Sequence, residues 1–256
     1  MVLSMERWSG KIAVVTGASA GCGAAIAEAL VKEGLQVVGL ARRKERIDEL
    51  SQKLLRCKGK LHSYKCDMTI ESDIIAAFKW IKDTLGPVSV LVNNAGVSQP
   101  NTLIGGNTEM WKKVLDTNVL GLTIATREAI DQMTSNKIDG HVIHINSILG
   151  HYVAHVPQVN MYSASKFAVT ALTETLRQEL VTLNSKIRVT SLSPGPVDTE
   201  FASSSNLTNH EEWAKLYNAM PKLNSEDVAD AVVYILSTPP HVQIQEIMMR
   251  PLGEPV

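Results

Sequence analysis

The chain has 256 residues, of which 45% are hydrophobic, and its formal net charge is −1. This length predicts a single domain, residues 1–256, with a sizeable core. A charge so close to zero excludes the basic composition typical of proteins that bind nucleic acids or anionic membranes. Three cysteines without a Cys-x-x-Cys pattern favour free thiols in a reducing compartment, so we expect a cytoplasmic protein. We expect no secretory signal, and no apolar run reaches the length of a membrane span.

Apolar runs of strand length alternate with segments of helical periodicity along the whole chain. Strands are predicted near residues 12–16, 36–41, 61–66, 88–93, 141–147, 187–193 and 244–249. Helices are predicted near residues 21–33, 44–56, 71–84, 109–134, 160–184 and 225–237. This alternation predicts an α/β protein: a doubly wound parallel sheet (Rossmann fold) of about seven strands, flanked by helices on both faces.

A glycine-rich turn, Gly17-Ala-Ser-Ala-Gly21-Cys-Gly23, connects the first predicted strand to the first helix. In such a unit the glycines let backbone N–H groups approach a pyrophosphate, and the helix N-terminus supplies partial positive charge. The spacing is Gly-x-x-x-Gly-x-Gly, and the alternative is an ordinary glycine-rich turn. The residues of this turn that we expect to bind a dinucleotide are Gly17, Ser19, Ala20, Gly21, Cys22 and Gly23.

Two arginines follow the second predicted strand, where the adenosine ribose of a dinucleotide is bound. No acidic residue that would favour NAD stands there, and a guanidinium fork suits a 2′-phosphate. We therefore expect NADP(H), with Arg42 as the main contact and Arg43 as the second candidate. The alternative for Arg43 is that it begins a solvated helix together with Lys44.

Tyr162 and Lys166 stand four residues apart in a predicted helix, so their side chains share one face. A lysine ammonium beside the phenol is expected to lower the tyrosine pKa, which suits a group that exchanges a proton with a carbonyl or alcohol oxygen. Ser147 ends another apolar strand, where doubly wound sheets bind ligands. It lacks the Gly-x-Ser-x-Gly setting of a hydrolase nucleophile.

The glycine turn, the strand-end Ser147 and the Tyr162-x-x-x-Lys166 pair together resemble the short-chain dehydrogenase/reductase family, in its single-domain branch. The resemblance covers nearly the whole chain and implies that Ser147, Tyr162 and Lys166 are catalytic. Asn118 is similar to the family's catalytic asparagine, which kinks its helix and holds a water beside the lysine. The family is usually oligomeric, so a homodimer or homotetramer through the two long helices is expected, unless their apolar faces contact only the sheet.

The resemblance also implies further contacts to the cofactor. Asp67 is similar to the residue that binds the adenine, and Asn93-Asn94-Ala95-Gly96 to a signature that stabilises the sheet and lines the cofactor. The segment Ser193–Thr199 is similar to the one that meets the nicotinamide. The additional cofactor-binding residues implied in this way are Asp67, Asn94, Ala95, Gly96, Tyr162, Lys166, Pro194, Gly195, Val197 and Thr199.

Within the family, the loop after Ser147 and residues 243–251 resemble the dehydrogenase/reductase member-eleven-like group, which includes insect farnesol dehydrogenase-like enzymes. The segment Val97-Ser98-Gln99-Pro100, the residues Ile148 and Leu149 after Ser147, and the apolar residues of the segment 197–224 predict an apolar alcohol and its aldehyde or ketone as substrates, an isoprenoid such as farnesol or a steroid. Residues 197–224 are expected to form a lid over the pocket. Its apolar residues are Phe201, Leu207, Trp213, Leu216, Tyr217 and Met220. The alternatives are a catalytically silent NADP(H)-binding sensor, and a lyase or isomerase on the same fold.

Two departures from the family pattern concern the site. Cys22 replaces the usual aliphatic residue at a helix N-terminus, where a thiolate would be stabilised, so it is a candidate reactive thiol. The alternative is that it fills a small buried space. The gap from Ser147 to Tyr162 is long, so the loop through His151 to Pro157 is expected to bulge over the site. The histidines His141, His144, His151 and His155 are not expected to bind a metal, because no carboxylate or cysteine completes a ligand set.

Overall fold

The computed structural model describes residues 3–154, 160–204, 215 and 218–254. In this part of the chain, seven strands form one sheet in the order β3-β2-β1-β4-β5-β6-β7, and all neighbours run parallel. The strands are β1 (Ile12–Thr16), β2 (Gln36–Ala41), β3 (Lys60–Lys65), β4 (Val88–Asn93), β5 (His141–Ile145), β6 (Arg188–Pro194) and β7 (Glu246–Met249). The predicted doubly wound parallel sheet is confirmed.

The helices cover both faces of the sheet. They are α1 (Gly21–Lys32), α2 (Lys44–Lys53), α3 (Glu71–Thr84), α4 (Thr108–Leu115), α5 (Leu122–Ser135), α6 (Asn160–Thr182), α7 (Phe201–Ser204) and α8 (Ser225–Ser237). Short 3-10 turns lie at Glu6–Trp8 and Ile148–Gly150. Among the described residues, none of these helices is long and apolar enough to cross a membrane.

Neighbouring strand residues point to opposite faces, and this divides the core into two clusters. Val15 packs with Ile26 of α1 and Val232 of α8 on one face. Val14 packs with Phe78 of α3 on the other. Every residue of β1, β4, β5 and β6 is buried, which explains the nearly continuous apolar sequences of β1 and β4. The buried polar side chains of β5 and β6 are hydrogen-bonded instead, as between His141 and Thr190. The edge strands β3 and β7 are partly exposed and accordingly more polar.

The single helix predicted over residues 109–134 is interrupted in the structure. A π-helical segment, Asp116–Gly121, joins α4 to α5 and contains Asn118. Single π turns within α-helices are frequent at functional sites. The predicted strand 141–147 also ends earlier, at Ile145, and this leaves Ser147 to cap the following 3-10 turn.

The sheet order determines where a ligand can bind. The chain leaves β1 toward β2 and β3, then crosses to β4 on the opposite side of β1. The loops that follow β1 and β4 therefore diverge, and they open a crevice at the carboxyl edge of the sheet.

Candidate active site

A cavity of about 920 Å³ occupies this crevice. Its lining comes from the glycine turn and from the ends of β2, β3, β4, β5 and β6, together with α6. Every residue predicted to bind the cofactor or to take part in catalysis lines this cavity, with the exception of Asn118. The structure thus brings together residues that lie far apart in the sequence.

The glycine turn needs its glycines for conformation and for space. Gly17 and Gly21 have φ angles of 70° and 54°, in the left-handed region that other residues rarely adopt. A Cβ at Gly17 would lie 2.9 Å from the Ala95 Cα, and one at Gly23 would collide with the Gly17 carbonyl oxygen and the Asn94 side chain. The turn therefore keeps its backbone close to the end of β4 and open toward the cavity.

Asn94 and Thr16 hold the two diverging loops at a fixed distance. The Asn94 Nδ2 donates to the Thr16 carbonyl at 2.8 Å, and the backbone N–H groups of Asn94 and Ala95 donate to the Thr16 hydroxyl at 3.0 and 2.9 Å. These bonds join the ends of β1 and β4. The Asn93-Asn94-Ala95-Gly96 segment thus links neighbouring strands and also lines the cavity.

Exposed basic residues lie at the adenosine end predicted for the cavity. Arg42 and Arg43 are both exposed and both line it. The Arg43 Nη1 lies 3.3 Å from the Glu200 carboxylate, which also accepts from Arg46 at 2.8 Å. Asp67 lines the same region and accepts hydrogen bonds from the backbone and hydroxyl of Thr69 at 3.0 and 2.8 Å.

Ser147 and Tyr162 face each other at the other end of the site. Ser147 is buried, and its Oγ accepts from the Leu149 N–H at 3.1 Å while its side chain also hydrogen-bonds Tyr162. Burial raises the pKa of Tyr162 to about 12, and the bond to Ser147 opposes that rise. The expectation of a lowered tyrosine pKa is therefore wrong for this structure, because burial outweighs the neighbouring groups.

Lys166 lies beside Tyr162 in the lining of the cavity. Its Nζ donates to the Ile145 carbonyl at 2.8 Å and lies 5.6 Å from the centroid of the Tyr162 ring. Burial lowers the pKa of Lys166 to about 8. The two side chains do share a helix face, as predicted, but burial shifts both groups toward their neutral forms.

Asn118 lies behind this pair. Its Oδ1 accepts from the Val97 N–H at 2.8 Å, and its Nδ2 donates to the Val97 carbonyl at 2.9 Å and to the Ser165 hydroxyl at 3.0 Å. A Cβ at Gly96 would lie 3.6 Å from the Asn118 Oδ1 and 4.0 Å from the Lys166 Nζ. The side chain thus connects the π-helical segment to the loop after β4 and to α6, and its main chain belongs to a distorted helix.

Cys22 does not have the environment expected of a reactive thiol. Its side chain hydrogen-bonds Ser225, but burial raises the pKa of the thiol to about 11. The prediction of a stabilised thiolate is wrong because the loss of hydration outweighs the helix N-terminus. Cys22 instead packs against the apolar cluster of α1 and α8.

The segment predicted as a lid contributes partly to the cavity. Phe201 and Met220 line it, and the Phe201 ring centroid lies 5.5 Å from that of Tyr162. Thr199 lies against Gly21 of the glycine turn. The other apolar residues of the predicted lid, Leu207, Trp213, Leu216 and Tyr217, lie outside the described residues, as does His155. In the loop that follows Ser147, residues 152–154 line the cavity.

Nine polar residues of the lining were not predicted as site residues from the sequence: Thr69, Ser98, Gln99, Lys113, Thr117, Asn146, Tyr152, Glu200 and Glu254. Tyr152 could have been found from the loop expected to bulge over the site. Glu200 immediately follows the predicted Thr199, but nothing in the sequence indicates its ion pairs with residues of the α2 region. Glu254 follows β7 in a segment without periodicity, and no sequence pattern marks it.

The histidines occupy unrelated positions. His141 and His144 are buried in β5 and contact the hydroxyls of Thr190 and Thr173, while His151 contacts Ser193 at 2.9 Å. Among the described residues, no group of three potential metal-binding side chains comes together.

Comparison with known proteins gives a consistent result. The family model for short chain dehydrogenases matches residues 11–210. Farnesol dehydrogenase of Aedes aegypti is 48% identical over 252 residues, which cover 98% of this chain and 99% of the relative. Dehydrogenase/reductase SDR family member 11 of Bos taurus is 49% identical over 253 residues, 96% of this chain and 98% of the relative. The closed form of a serine dehydrogenase complexed with NADP+ superposes with a TM-score of 0.86 at 30% identity, over 96% of each chain.

Proposed function

Since the chain belongs to the short-chain dehydrogenase/reductase family, we propose that it is an NADP(H)-dependent oxidoreductase that interconverts an apolar alcohol and its aldehyde or ketone. The observation that carries this proposal is the arrangement of Ser147, Tyr162 and Lys166 at one end of a cavity whose other walls are the glycine turn and two arginines. A proton-exchanging tyrosine beside a dinucleotide site suits carbonyl–alcohol chemistry.

The residues present fit a nicotinamide dinucleotide. The glycine turn presents backbone where a Cβ would intrude, and it lies at the N-terminus of α1, a favourable place for a pyrophosphate. Solved structures of similar fold carry such cofactors, among them the serine dehydrogenase with NADP+. When bound, the nicotinamide supplies or accepts the hydride.

The protein's own residues handle the proton and the charge. In the reduction direction, Ser147 donates a hydrogen bond to the carbonyl oxygen and Tyr162 gives that oxygen its proton. Lys166 stabilises the resulting phenolate and, with the cofactor bound, would hold the nicotinamide ribose. Asn118 positions a water that returns a proton from solvent toward Lys166. The same groups act in reverse during oxidation.

The preference for NADP(H) rests on Arg42. Arg43 is already paired with Glu200, whereas no ion pair joins Arg42 to another of the described residues. Its guanidinium lines the cavity and suits a 2′-phosphate.

The apolar substrate is supported by the lining of the catalytic end. The cavity lining includes Val97, Ile148, Leu149, Phe201 and Met220, and the Phe201 ring centroid lies 5.5 Å from that of Tyr162. The similarity to a farnesol dehydrogenase agrees with such a lining. An isoprenoid alcohol or aldehyde, or a steroid, is the proposed substrate class.

A kinetic panel of linear alcohols and carbonyls with NADP(H) and NAD(H) tests this function. Each added methylene that becomes buried contributes about 0.8 kcal/mol, so kcat/KM should rise about threefold or more per carbon until the pocket is full. A flat profile, or a preference for sugars or short hydroxy acids, would overturn the apolar assignment. NADPH binding without any turnover would instead favour a catalytically silent sensor.

We also propose that the protein forms a homodimer or homotetramer. Leu115, Leu120 and Phe167, on α4, the π-helical segment and α6, are exposed. These helices are the ones expected to form the interface between subunits. Light scattering on the purified protein measures its mass, which distinguishes a monomer, a dimer and a tetramer.

A further inference from the structure

A chain of hydrogen bonds adjoins the 3-10 turn that Ser147 caps. His151 follows this turn, and its Nε2 lies 2.9 Å from the Ser193 Oγ at the end of β6. The Ser193 Oγ donates to the Glu246 Oε1 of β7 at 2.7 Å. The His151 Nε2 also lies 3.5 Å from that carboxylate oxygen. The chain thus joins the turn after Ser147 to the last two strands of the sheet.

The direction of each hydrogen bond in this chain follows from its donors and acceptors. Ser193 has one hydroxyl proton, and the Glu246 carboxylate, which only accepts, takes it. The Ser193 oxygen must then accept from the His151 Nε2, so this imidazole nitrogen is a donor to β6. Ser191, another buried serine of β6, donates to the same Glu246 oxygen at 3.1 Å. Glu246 therefore orients both serines and, through Ser193, also His151.

His151, Ser193 and Glu246 do not line the cavity themselves. Tyr152 and Pro194, which follow His151 and Ser193 in the chain, do line it. Ser193 is completely buried, and the side chains of His151 and Glu246 are 21% and 32% exposed. A role of these three residues in the reaction must therefore pass through the turn that His151 follows.

The turn is held from two sides. On one side it packs closely against α6, where a Cβ at Gly150 would lie 2.7 Å from the Lys166 carbonyl oxygen. The Thr170 Oγ1 of α6 donates to the Gly150 carbonyl at 3.0 Å. On the other side, His151 ties it to β6 and β7. The turn thus lies between the helix that carries Tyr162 and the strand whose end is expected to meet the nicotinamide.

The position of the Ser147 hydroxyl depends on this turn. Its Oγ accepts from the Leu149 N–H at 3.1 Å, and the Ser147 carbonyl accepts from the Gly150 N–H at 2.9 Å. In the proposed reaction the same hydroxyl binds the substrate oxygen beside Tyr162. A displacement of about 1 Å at a reacting group costs as much as about a hundredfold in rate, so the attachment of the turn matters for turnover.

We propose that His151 is a positioning residue: through Ser193 and Glu246 it holds the turn so that the Ser147 hydroxyl stays in place beside Tyr162. This inference rests on the proposed function, because it takes Ser147 to bind the carbonyl or alcohol oxygen. It assigns a role in the reaction to a histidine and a carboxylate that lie outside the cavity.

Substitutions at His151 test the proposal. His151→Leu removes the donor, so kcat per NADPH-binding site should fall about tenfold or more for the best substrate of the kinetic panel, while NADPH affinity stays nearly intact. His151→Gln carries an N–H donor at nearly the position of the Nε2 and should restore most of the loss. His62→Leu is the matched control, because it removes a partly buried histidine that contacts Gln36 outside the cavity, and it should keep the parent kcat.

The carboxylate gives a second pair of variants. Glu246→Leu should resemble His151→Leu, since Ser193 loses its acceptor and no longer orients the imidazole. Glu246→Gln retains an oxygen acceptor for Ser193 and should keep most of the parent kcat. A Glu246→Leu variant with parent kcat would refute the role of the hydrogen-bond chain.

A double-mutant cycle shows whether His151 acts through Ser147. Ser147→Ala removes the group that His151 is proposed to position, so adding His151→Leu to it should cause little further loss of kcat. If the two losses multiply, His151 acts elsewhere in the fold, and the proposal is refuted. The same conclusion follows if His151→Leu alone keeps the parent kcat.

Hydrogen exchange on the cofactor-free protein gives a readout that needs no turnover. The peptide covering residues 147–152 contains the two N–H groups bonded to Ser147, and it should exchange faster in His151→Leu, recover in His151→Gln and remain unchanged in His62→Leu. Unchanged exchange in His151→Leu would overturn the proposal. Absence of turnover by the parent with every alcohol and carbonyl is instead the failure of the proposed function, and the exchange comparison then still decides whether His151 holds the turn.

Discussion

Burial shifts the Tyr162 phenol and the Lys166 amine in opposite directions on the pH scale. The pKa of Tyr162 rises to about 12 and that of Lys166 falls to about 8. At neutral pH the phenol is therefore protonated and the amine still carries its charge. A protonated phenol hydrogen-bonded to Ser147 is a proton donor, as the proposed reduction of a carbonyl requires.

Replacing the phenol tests this role directly. Tyr162→Phe keeps the ring beside Phe201 but has no proton to transfer, so kcat should fall by about 10²- to 10⁴-fold while NADPH affinity stays nearly intact. Lys166→Ala is the comparison variant and should impair both turnover and NADPH binding. Steady-state kinetics and fluorescence titration of NADPH measure the two effects, and near-parent turnover by Tyr162→Phe would disprove the mechanism.

The proposed choice of NADP(H) also depends on single residues, the arginine pair Arg42 and Arg43. A charge-assisted contact to phosphate is worth roughly 1.5–3 kcal/mol, so the parent should prefer NADP(H) over NAD(H) by about ten- to a hundredfold in kcat/KM. Arg42→Asp should erase or reverse that preference by repelling the 2′-phosphate. Arg43→Asp should change it less, because Arg43 already pairs with Glu200. Equal kcat/KM for both cofactors in the parent contradicts the assignment.

At the scale of elements, the glycine turn and α1 show how packing overrides local preference. Gly23 lies in the first turn of α1, where alanine would be favoured by about 1 kcal/mol from helix propensity. The added Cβ would collide with the Gly17 carbonyl oxygen and the Asn94 side chain, and overpacking of this kind costs about 1–3 kcal/mol. The clash should therefore decide the outcome.

Gly23→Ala should accordingly lower the free energy of unfolding and weaken NADPH binding. Gly96→Ala is the matched control for stability, since its Cβ would meet no atom closer than 3.6 Å. Urea unfolding of the two cofactor-free variants compares them. Equal stability of Gly23→Ala and the parent would show that the turn accommodates a Cβ at this position without a clash with Gly17 or Asn94.

Most elements could be predicted from the sequence because their cause is local. Buried strands such as β1 and β4 are continuous apolar runs, and α1 begins at a glycine turn that needs its glycines. The π-helical segment could not be located by periodicity, because Asn118 is held there by hydrogen bonds to Val97 across the fold. It was expected only from the resemblance to a family whose asparagine kinks its helix.

Within the site, residue positions were easier to predict than their electrostatics. Tyr162 and Lys166 follow from their spacing, but their pKa values depend on burial by elements distant in sequence, as does that of Cys22. Glu254 reaches the cavity through a long-range turn over Gly195, and no local pattern reports such a contact. Contacts that depend on tertiary structure were the ones missed.

At the scale of the whole molecule, the burial of the Lys166 amine reduces the stability of the folded protein. Its folded pKa of about 8 lies below the ordinary 10.5, so the folded protein binds fewer protons than the unfolded chain between these values. The free energy of unfolding therefore rises with pH between about 8 and 10.5, as the amine loses its proton in the folded protein. Below pH 8 the full cost of burying the charged ammonium remains.

The free energy of unfolding of the cofactor-free protein should show this dependence against a Lys166→Met reference. Between pH 7.5 and 9.5 the parent should gain about 1–2 kcal/mol relative to the variant, which carries no ionisable group at this position. Urea unfolding at both pH values measures the difference. A parent that gains nothing, or loses stability relative to Lys166→Met, would show that the ammonium is not disfavoured by burial.

The central place of β1 has a consequence for synthesis of the chain. β1 pairs with β2 soon after it emerges from the ribosome, but its other edge pairs with β4, which is made only after α1, β2, α2, β3 and α3. Until then an apolar strand keeps one edge of unsatisfied hydrogen-bonding groups, a template for association with other nascent chains. We therefore expect the nascent chain to depend most on a chaperone while β1 to α3 have been synthesised and β4 has not.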